Sequence, residues 1–157
     1  MKVSKMEQSR MFITSIIILL ERYIKQPISI INLIDKTGYS RWYVQRRFCS
    51  LTGMSMKSYI RSRKMTEAAK VLLSTDRKVL DIAVEYGYPE QQSFCRVFKN
   101  HYGVSPTTFR KANTPRDELW MSAEKLLVKF KSREGANKQV ISSQADSLIK
   151  ISRIWAD

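Results

Sequence analysis

Two clusters of side chains carry chemistry in this 157-residue chain: Trp42, Gln45 and Arg46, and then Gln91, Gln92 and Arg96. Spacings of three and four residues put the members of each cluster on one face of a helix. Arginine can take the two acceptors of guanine, glutamine can pair with adenine, and an indole can lie against a thymine methyl. Each cluster also has a plainer reading. Trp42 would be a packed aromatic, the arginines a solvated basic face, and the glutamines ordinary surface.

Chemistry of other kinds has little raw material. The only histidine is His101 and the cysteines are Cys49 and Cys95, so no metal site, no cofactor and no catalytic set is expected, and the chain reads as a non-enzyme. His101 is expected to stack or hydrogen-bond locally near a helix end, and the cysteines to be small packing residues more than redox sensors. Lys and Arg number 28 against 14 Asp and Glu, a formal net charge of +14. Such a surface attracts polyanions. Residues 1–112 hold 20 basic and 8 acidic residues, and residues 113–157 hold 8 and 6, so the attraction is concentrated in the first part. The longest apolar stretch, Met11 to Leu20, is broken by Thr14 and Ser15 and falls short of the ~20 residues that span a bilayer. No membrane partner, no secretory signal and a cytoplasmic location are the matching expectations.

The elements that must position the clusters follow from periodicity and punctuation. Ile13, Ile16, Ile17, Leu20 and Ile24 make one stripe, predicting a helix near 8–25. Ser29 caps a second near 30–37. Gly38 closes it, and Ser40 opens a third near 41–50 with Val44, Phe48 and Leu51 inward and Arg41, Trp42, Gln45 and Arg46 outward. After Gly53 and Ser55, residues 56–73 lack Gly and Pro and form the longest helix after the first, with Tyr59, Ile60, Met65, Ala68 and Leu72 inward.

An internal repeat then becomes visible. Ile31, Leu33, Ile34, Gly38 and Tyr39 recur 49 residues later as Leu80, Ile82, Ala83, Gly87 and Tyr88. Phe48, Gly53, Ser55 and Tyr59 recur 50 later as Phe98, Gly103, Ser105 and Phe109. The added residue falls in the turn around Pro89 and Glu90. Each unit is a short helix, a Gly-aromatic turn and a second helix, the pattern of a helix-turn-helix. The expected fold is all-α, with two helix-turn-helix subdomains at about 30–53 and 79–103, a long linker helix between them, and a short C-terminal extension over 113–157. A linker of roughly 17 residues spans about 25 Å, and with side-chain thickness at each end could hold two reading helices near the ~34 Å separation of adjacent major grooves; a closer spacing would require the DNA to bend toward the protein. Because the two faces differ in sequence, the site they read should be asymmetric.

These residues also carry a family resemblance. The run from Gly87 to Lys99, followed by Gly103-Val104-Ser105-Pro106 and Phe109-Arg110, resembles the signature of AraC/XylS transcription regulators. Tyr59 to Glu67, and Trp42 with Gln45-Arg46, are similar to the short MarA/SoxS/Rob branch. The resemblance covers about residues 8–112. It implies a monomeric activator of stress and multidrug-resistance genes, with double-stranded promoter DNA and RNA polymerase as partners. Carried over by position, the base-contacting candidates are Trp42, Gln45, Arg46, Gln91, Gln92, Ser93 and Arg96, and the phosphate candidates are Ser40, Arg41, Arg61 and Arg110. Cys95 departs from the branch, where a threonine is expected, and Ser93-Phe94 departs from the Tyr-Phe of many wider relatives.

In the extension, Trp120, Ala123, Leu127 and Phe130 form one possible stripe, and Ala145, Leu148, Ile149 and Trp155 another, separated by Gly135-Ala136-Asn137. Packed or frayed helices and a docking surface are the two readings. Forty-five residues are few for an effector domain, so no small-molecule effector is expected. Two alternatives to the activator stand: a regulator acting mainly by binding polymerase or another regulator, with DNA contact secondary, and an architectural binder without base readout.

Overall fold

The computed structural model describes residues 3–25, 29–113, 120–123, 125 and 126. Among them all regular structure is helical: α1 (Lys5–Arg22), α2 (Ile30–Asp35), α3 (Arg41–Thr52), α4 (Met56–Ser74), α5 (Val79–Glu85), α6 (Gln91–Tyr102) and α7 (Pro106–Ala112). They fall into two compact units. The first holds α1, α2, α3 and the opening turn of α4, and the second holds the remainder of α4 with α5, α6 and α7. No helix among the described residues is long and apolar enough to cross a membrane.

Local chemistry sets the helix ends. Ser4 opens α1 by accepting from the Glu7 N–H, while Glu7 accepts from the Ser4 N–H. This reciprocal cap satisfies two amides that would otherwise lack partners, so α1 starts three residues before the expected 8 and ends at Arg22, short of 25. Likewise α2 stops at Asp35, not 37. Ser29, Ser40, Ser55 and Ser105 accept from amides of the first turns of α2, α3, α4 and α7. At the far ends, Gly53 and Gly103 both sit at φ 79°, closing α3 and α6 in the left-handed region that a side chain disfavours. At 19 residues α4 is the longest helix among the described residues, exceeding the 18 of α1, which reverses the expected order.

Gly38 and Gly87 turn at φ 76° and 87°, and the repeat's register change is visible here. α3 starts at Arg41, three positions after Gly38, whereas α6 starts at Gln91, four positions after Gly87. The inserted residue lies in the Pro89-Glu90 turn, and α6 starts without the side-chain cap that Ser40 gives α3.

In the first unit the stripe Ile13, Ile16, Ile17 and Leu20 is buried, as are Leu33, Ile34, Val44, Phe48 and Leu51. The second unit gathers Met65, Ala68, Ala69, Leu72, Ile82, Ala83, Tyr86 and an aromatic group from α6 and α7. Ile24 belongs to this second core. Of the residues expected inward on α4, Tyr59, Met65, Ala68 and Leu72 are buried and Ile60 is only half-buried.

Trp120 and Met121 are held on α4. The Met121 N–H donates to Thr66 Oγ1 at 2.8 Å, and Arg63 Nη1 donates to the Met121 carbonyl at 3.0 Å. The Lys70 ammonium lies 5.3 Å from the centre of the Trp120 ring. Ala123 is also described, whereas Leu127, Phe130, Ala145, Leu148, Ile149 and Trp155 lie outside the described residues.

Candidate nucleic-acid interface

Burial of Val44, Phe48 and Leu51 fixes the rotation of α3, which leaves Trp42, Gln45, Arg46 and Cys49 on its exposed side. Trp42 is 65% exposed. That exposure counts against the packed-aromatic reading, since most of the ring meets water and not the core. The Arg46 guanidinium stands 4.9 Å from the centre of the Trp42 ring, close enough for cation–π attraction. Trp42 and Arg46 therefore form one stacked pair before any partner arrives. A groove of ≈ 520 Å³ runs beside them, with Gln45 and Cys49 on the α3 side and Ser55 and Lys57 on the α4 side.

In the second unit Phe94, Phe98 and Tyr102 are buried along α6. Gln91, Gln92 and Arg96 are exposed and Ser93 is half-buried. Arg96 stands in the place on α6 that Arg46 holds on α3, each the sixth residue of a 12-residue helix. Lys99, three residues after Arg96, is exposed on the same side. The sequence analysis did not single out Lys99, although its helical spacing of three from Arg96 was a usable signal. Cys95 is half-buried, and burial pushes its thiol pKa up, away from thiolate chemistry. His101 meets Tyr102 edge to face at 4.6 Å in the last turn of α6, the local stacking expected of it.

The phosphate candidates differ in how free they are. Ser40 Oγ accepts from the Tyr43 amide at 3.2 Å, so the hydroxyl caps α3. Arg41 donates Nε and Nη2 to Asp35 at 3.1 and 3.0 Å. Arg61 is exposed on α4. Arg110 is committed to the backbone: Nε donates to the Leu72 carbonyl at 3.0 Å and Nη2 to the Arg77 carbonyl at 2.6 Å. Those bonds satisfy the end of α4 and the segment after it.

A pair of substitutions separates these roles. Arg110→Met is expected to destabilise the protein by about 2 to 3 kcal/mol, because a charged donor leaves two carbonyls. Arg61→Ala is expected to leave stability within about 0.5 kcal/mol and to flatten the salt dependence of DNA binding by about one unit. Urea unfolding and a salt titration read the two. A salt slope unchanged by Arg61→Ala removes that residue from the phosphate set.

A helix-turn-helix domain family matches residues 33–112 of the chain. The chain is 36% identical over 119 residues to the multiple antibiotic resistance protein MarA of Salmonella typhimurium, covering 76% of this chain and 94% of that protein. It is 40% identical over 100 residues to the probable transcription factor PqrA of Proteus vulgaris, covering 63% and 82%. Similarity to the right origin-binding protein of Escherichia coli K12 is 39% over 100 residues, 64% of this chain but 35% of that protein, so the chain spans about a third of that relative's length. Among solved structures, the C-terminal domain of the response regulator AraT from Geobacillus stearothermophilus superposes with a TM-score of 0.59 at 24% identity, over 78% of this chain and 93% of that one. The matched span runs from within α2 to the end of α7 and includes α3 and α6, and the chain belongs to the AraC/XylS family of DNA-binding transcription regulators, in the branch of MarA and Rob.

Proposed function

We propose that the protein is a sequence-specific activator that works as a monomer on an asymmetric promoter site of about two helical turns. Residues 1–112 form the DNA-binding domain and 113–157 an extension to it. The observation that carries the reading is the equivalent placement of Arg46 and Arg96 on exposed faces of α3 and α6. Their companions differ: Trp42 and Gln45 beside one, Gln92 and Cys95 beside the other. A symmetric operator would leave one face mismatched, so the preferred site has two unlike half-sites. Ser93 joins the base-reading group through its place between Gln92 and Arg96. Regulation of stress or antibiotic-resistance genes is supported by the likeness to MarA. The family is one of regulators, not of enzymes.

RNA polymerase is the second partner in this reading. Supporting it is the outer face of α5, where Leu80 and Val84, 44% and 56% exposed, lie one turn apart with exposed Asp81 between them. An apolar pair with a carboxylate is poorly suited to a phosphate backbone and suits a protein surface. The same face favours a second reading, in which protein contact leads and DNA contact is subordinate.

Fluorescence anisotropy on a selected duplex and its scrambled version, across a salt series, tests the first against the second. The selected site is expected to win by about 10³ or more. Arg46→Ala and Arg96→Ala should each cost roughly 1 to 3 kcal/mol on that site and little on the scrambled one. Overlapping curves at every salt would leave only a polyanion grip and return the function to protein partners.

A further inference from the structure

An ion pair closes the turn between α2 and α3 in the first unit. Asp35 is the last residue of α2 and Arg41 the first of α3, with the Gly38 turn between them. The carboxylate accepts from Arg41 Nε through Oδ1 and from Nη2 through Oδ2, a two-bond fork across the turn. Both side chains are about half in water, 51% and 55% exposed. A pair so exposed contributes modestly to stability, while its two parallel bonds fix the direction of the guanidinium. The hydrogen bonds and charge of Arg41 hold the Asp35 carboxyl below the usual carboxylate range, keeping it ionised at neutral pH.

We infer that Asp35 is a specificity-determining residue, which neutralises and aims Arg41 so that only a phosphate delivered in the correct register engages it. The inference rests on the DNA-reading function proposed above. The fork takes the Nε edge of the guanidinium and leaves the Nη1 edge, with its N–H groups, for another acceptor. In a loose complex on arbitrary sequence, phosphates reach the rim in poor geometry and meet the Asp35 charge as well as the Arg41 one, which cancels their attraction. In the registered complex the phosphate meets an arginine already aimed, and the gain in orientation offsets the repulsion from the carboxylate. Asp35 thus lowers binding to the wrong sequence while leaving the right one nearly unchanged. Discrimination comes from suppressing the competitor.

Asp35→Asn keeps the shape and removes the charge. With the full chain on the selected and scrambled duplexes, the variant is expected to bind the scrambled duplex three- to ten-fold more tightly, with a salt slope steeper by about one unit. Affinity for the selected duplex should change less than two-fold, so the preference ratio falls three- to ten-fold. In an Arg41→Ala background the same substitution should leave the ratio unaltered, and thermal melting by circular dichroism should show Asp35→Asn still folded. Equal loss on both duplexes would reduce Asp35 to shaping the turn and overturn the inference, as would unchanged affinity for both. If the parent protein itself shows no preference for the selected duplex, the DNA-reading function fails and carries this inference down with it. A parent with strong preference and an inert Asp35→Asn sinks the inference alone.

Discussion

Phe98→Ala is expected to destabilise the second unit by about 3 to 5 kcal/mol, a large share of the 5 to 15 kcal/mol that holds a typical domain folded. Phe98 is fully buried and sits at the centre of an aromatic group: its ring centre lies 5.7 Å from Phe94, 4.7 Å from Tyr102 and 5.3 Å from Phe109. Three of these rings belong to α6 and one to α7, so truncation removes one of the two ring contacts that join the helices, leaving Tyr102 against Phe109 at 5.0 Å. Cavity formation adds to the lost transfer energy, because the neighbouring rings are rigid and cannot fill the space. Urea unfolding followed by circular dichroism measures the loss. A change under 1 kcal/mol would mean that the cluster repacks and that Phe98 is not its centre. Binding should fail with it, since α6 carries Gln91, Gln92 and Arg96.

Alkaline pH is expected to act on the same core through two tyrosines. Burial raises the pKa of Tyr86 to about 12, with the nearby Glu85 charge adding to it, and burial likewise raises that of Tyr102 to about 12. Tyr102 donates its hydroxyl hydrogen to the Met65 carbonyl at 3.3 Å, a bond the phenolate cannot make. The folded protein therefore resists losing these protons, while the unfolded chain loses them near pH 10. Their contribution is intact below pH 10 and is lost as pH climbs through 12, by roughly 2 to 3 kcal/mol for each tyrosine. Urea midpoints at pH 8, 10 and 11.5 follow the decline, and Tyr86→Phe with Tyr102→Phe should remove most of the slope. A slope that survives both substitutions would assign the alkaline loss to other groups.

Much of this architecture was legible because it is written in local chemistry. Left-handed glycines at 38, 53, 87 and 103 and serine caps at 29, 40, 55 and 105 depend only on residues within a turn of them. Ser4 with Glu7 was equally local, and its signature of a serine followed three residues later by glutamate would have placed the start of α1 correctly. The outward face of α3 followed from the helical spacing of Val44, Phe48 and Leu51, and that of α6 from its place in the internal repeat. What spacing did not reveal were bonds between distant segments. Arg110 reaches carbonyls 33 and 38 residues away, and Met121 docks on Thr66 across 55. Both depend on which backbone groups tertiary packing leaves without partners, which no periodicity encodes. The Asp35–Arg41 fork lies between, six residues apart, yet formed only because Gly38 folds the turn back.

The stacking of Arg46 on Trp42 constrains how the exposed face of α3 can change. Two side chains that orient each other respond to substitution as a unit, and the loss from removing both should be smaller than the sum of the separate losses. Trp42→Ala would free Arg46 to sample other rotamers, and Arg46→Ala would leave an indole without its cation. Under the DNA-reading function proposed above, a new base preference in the first unit is reached most readily by exchanging the two residues together, and libraries that vary position 42 or 46 alone will undercount the sequences α3 can be made to recognise.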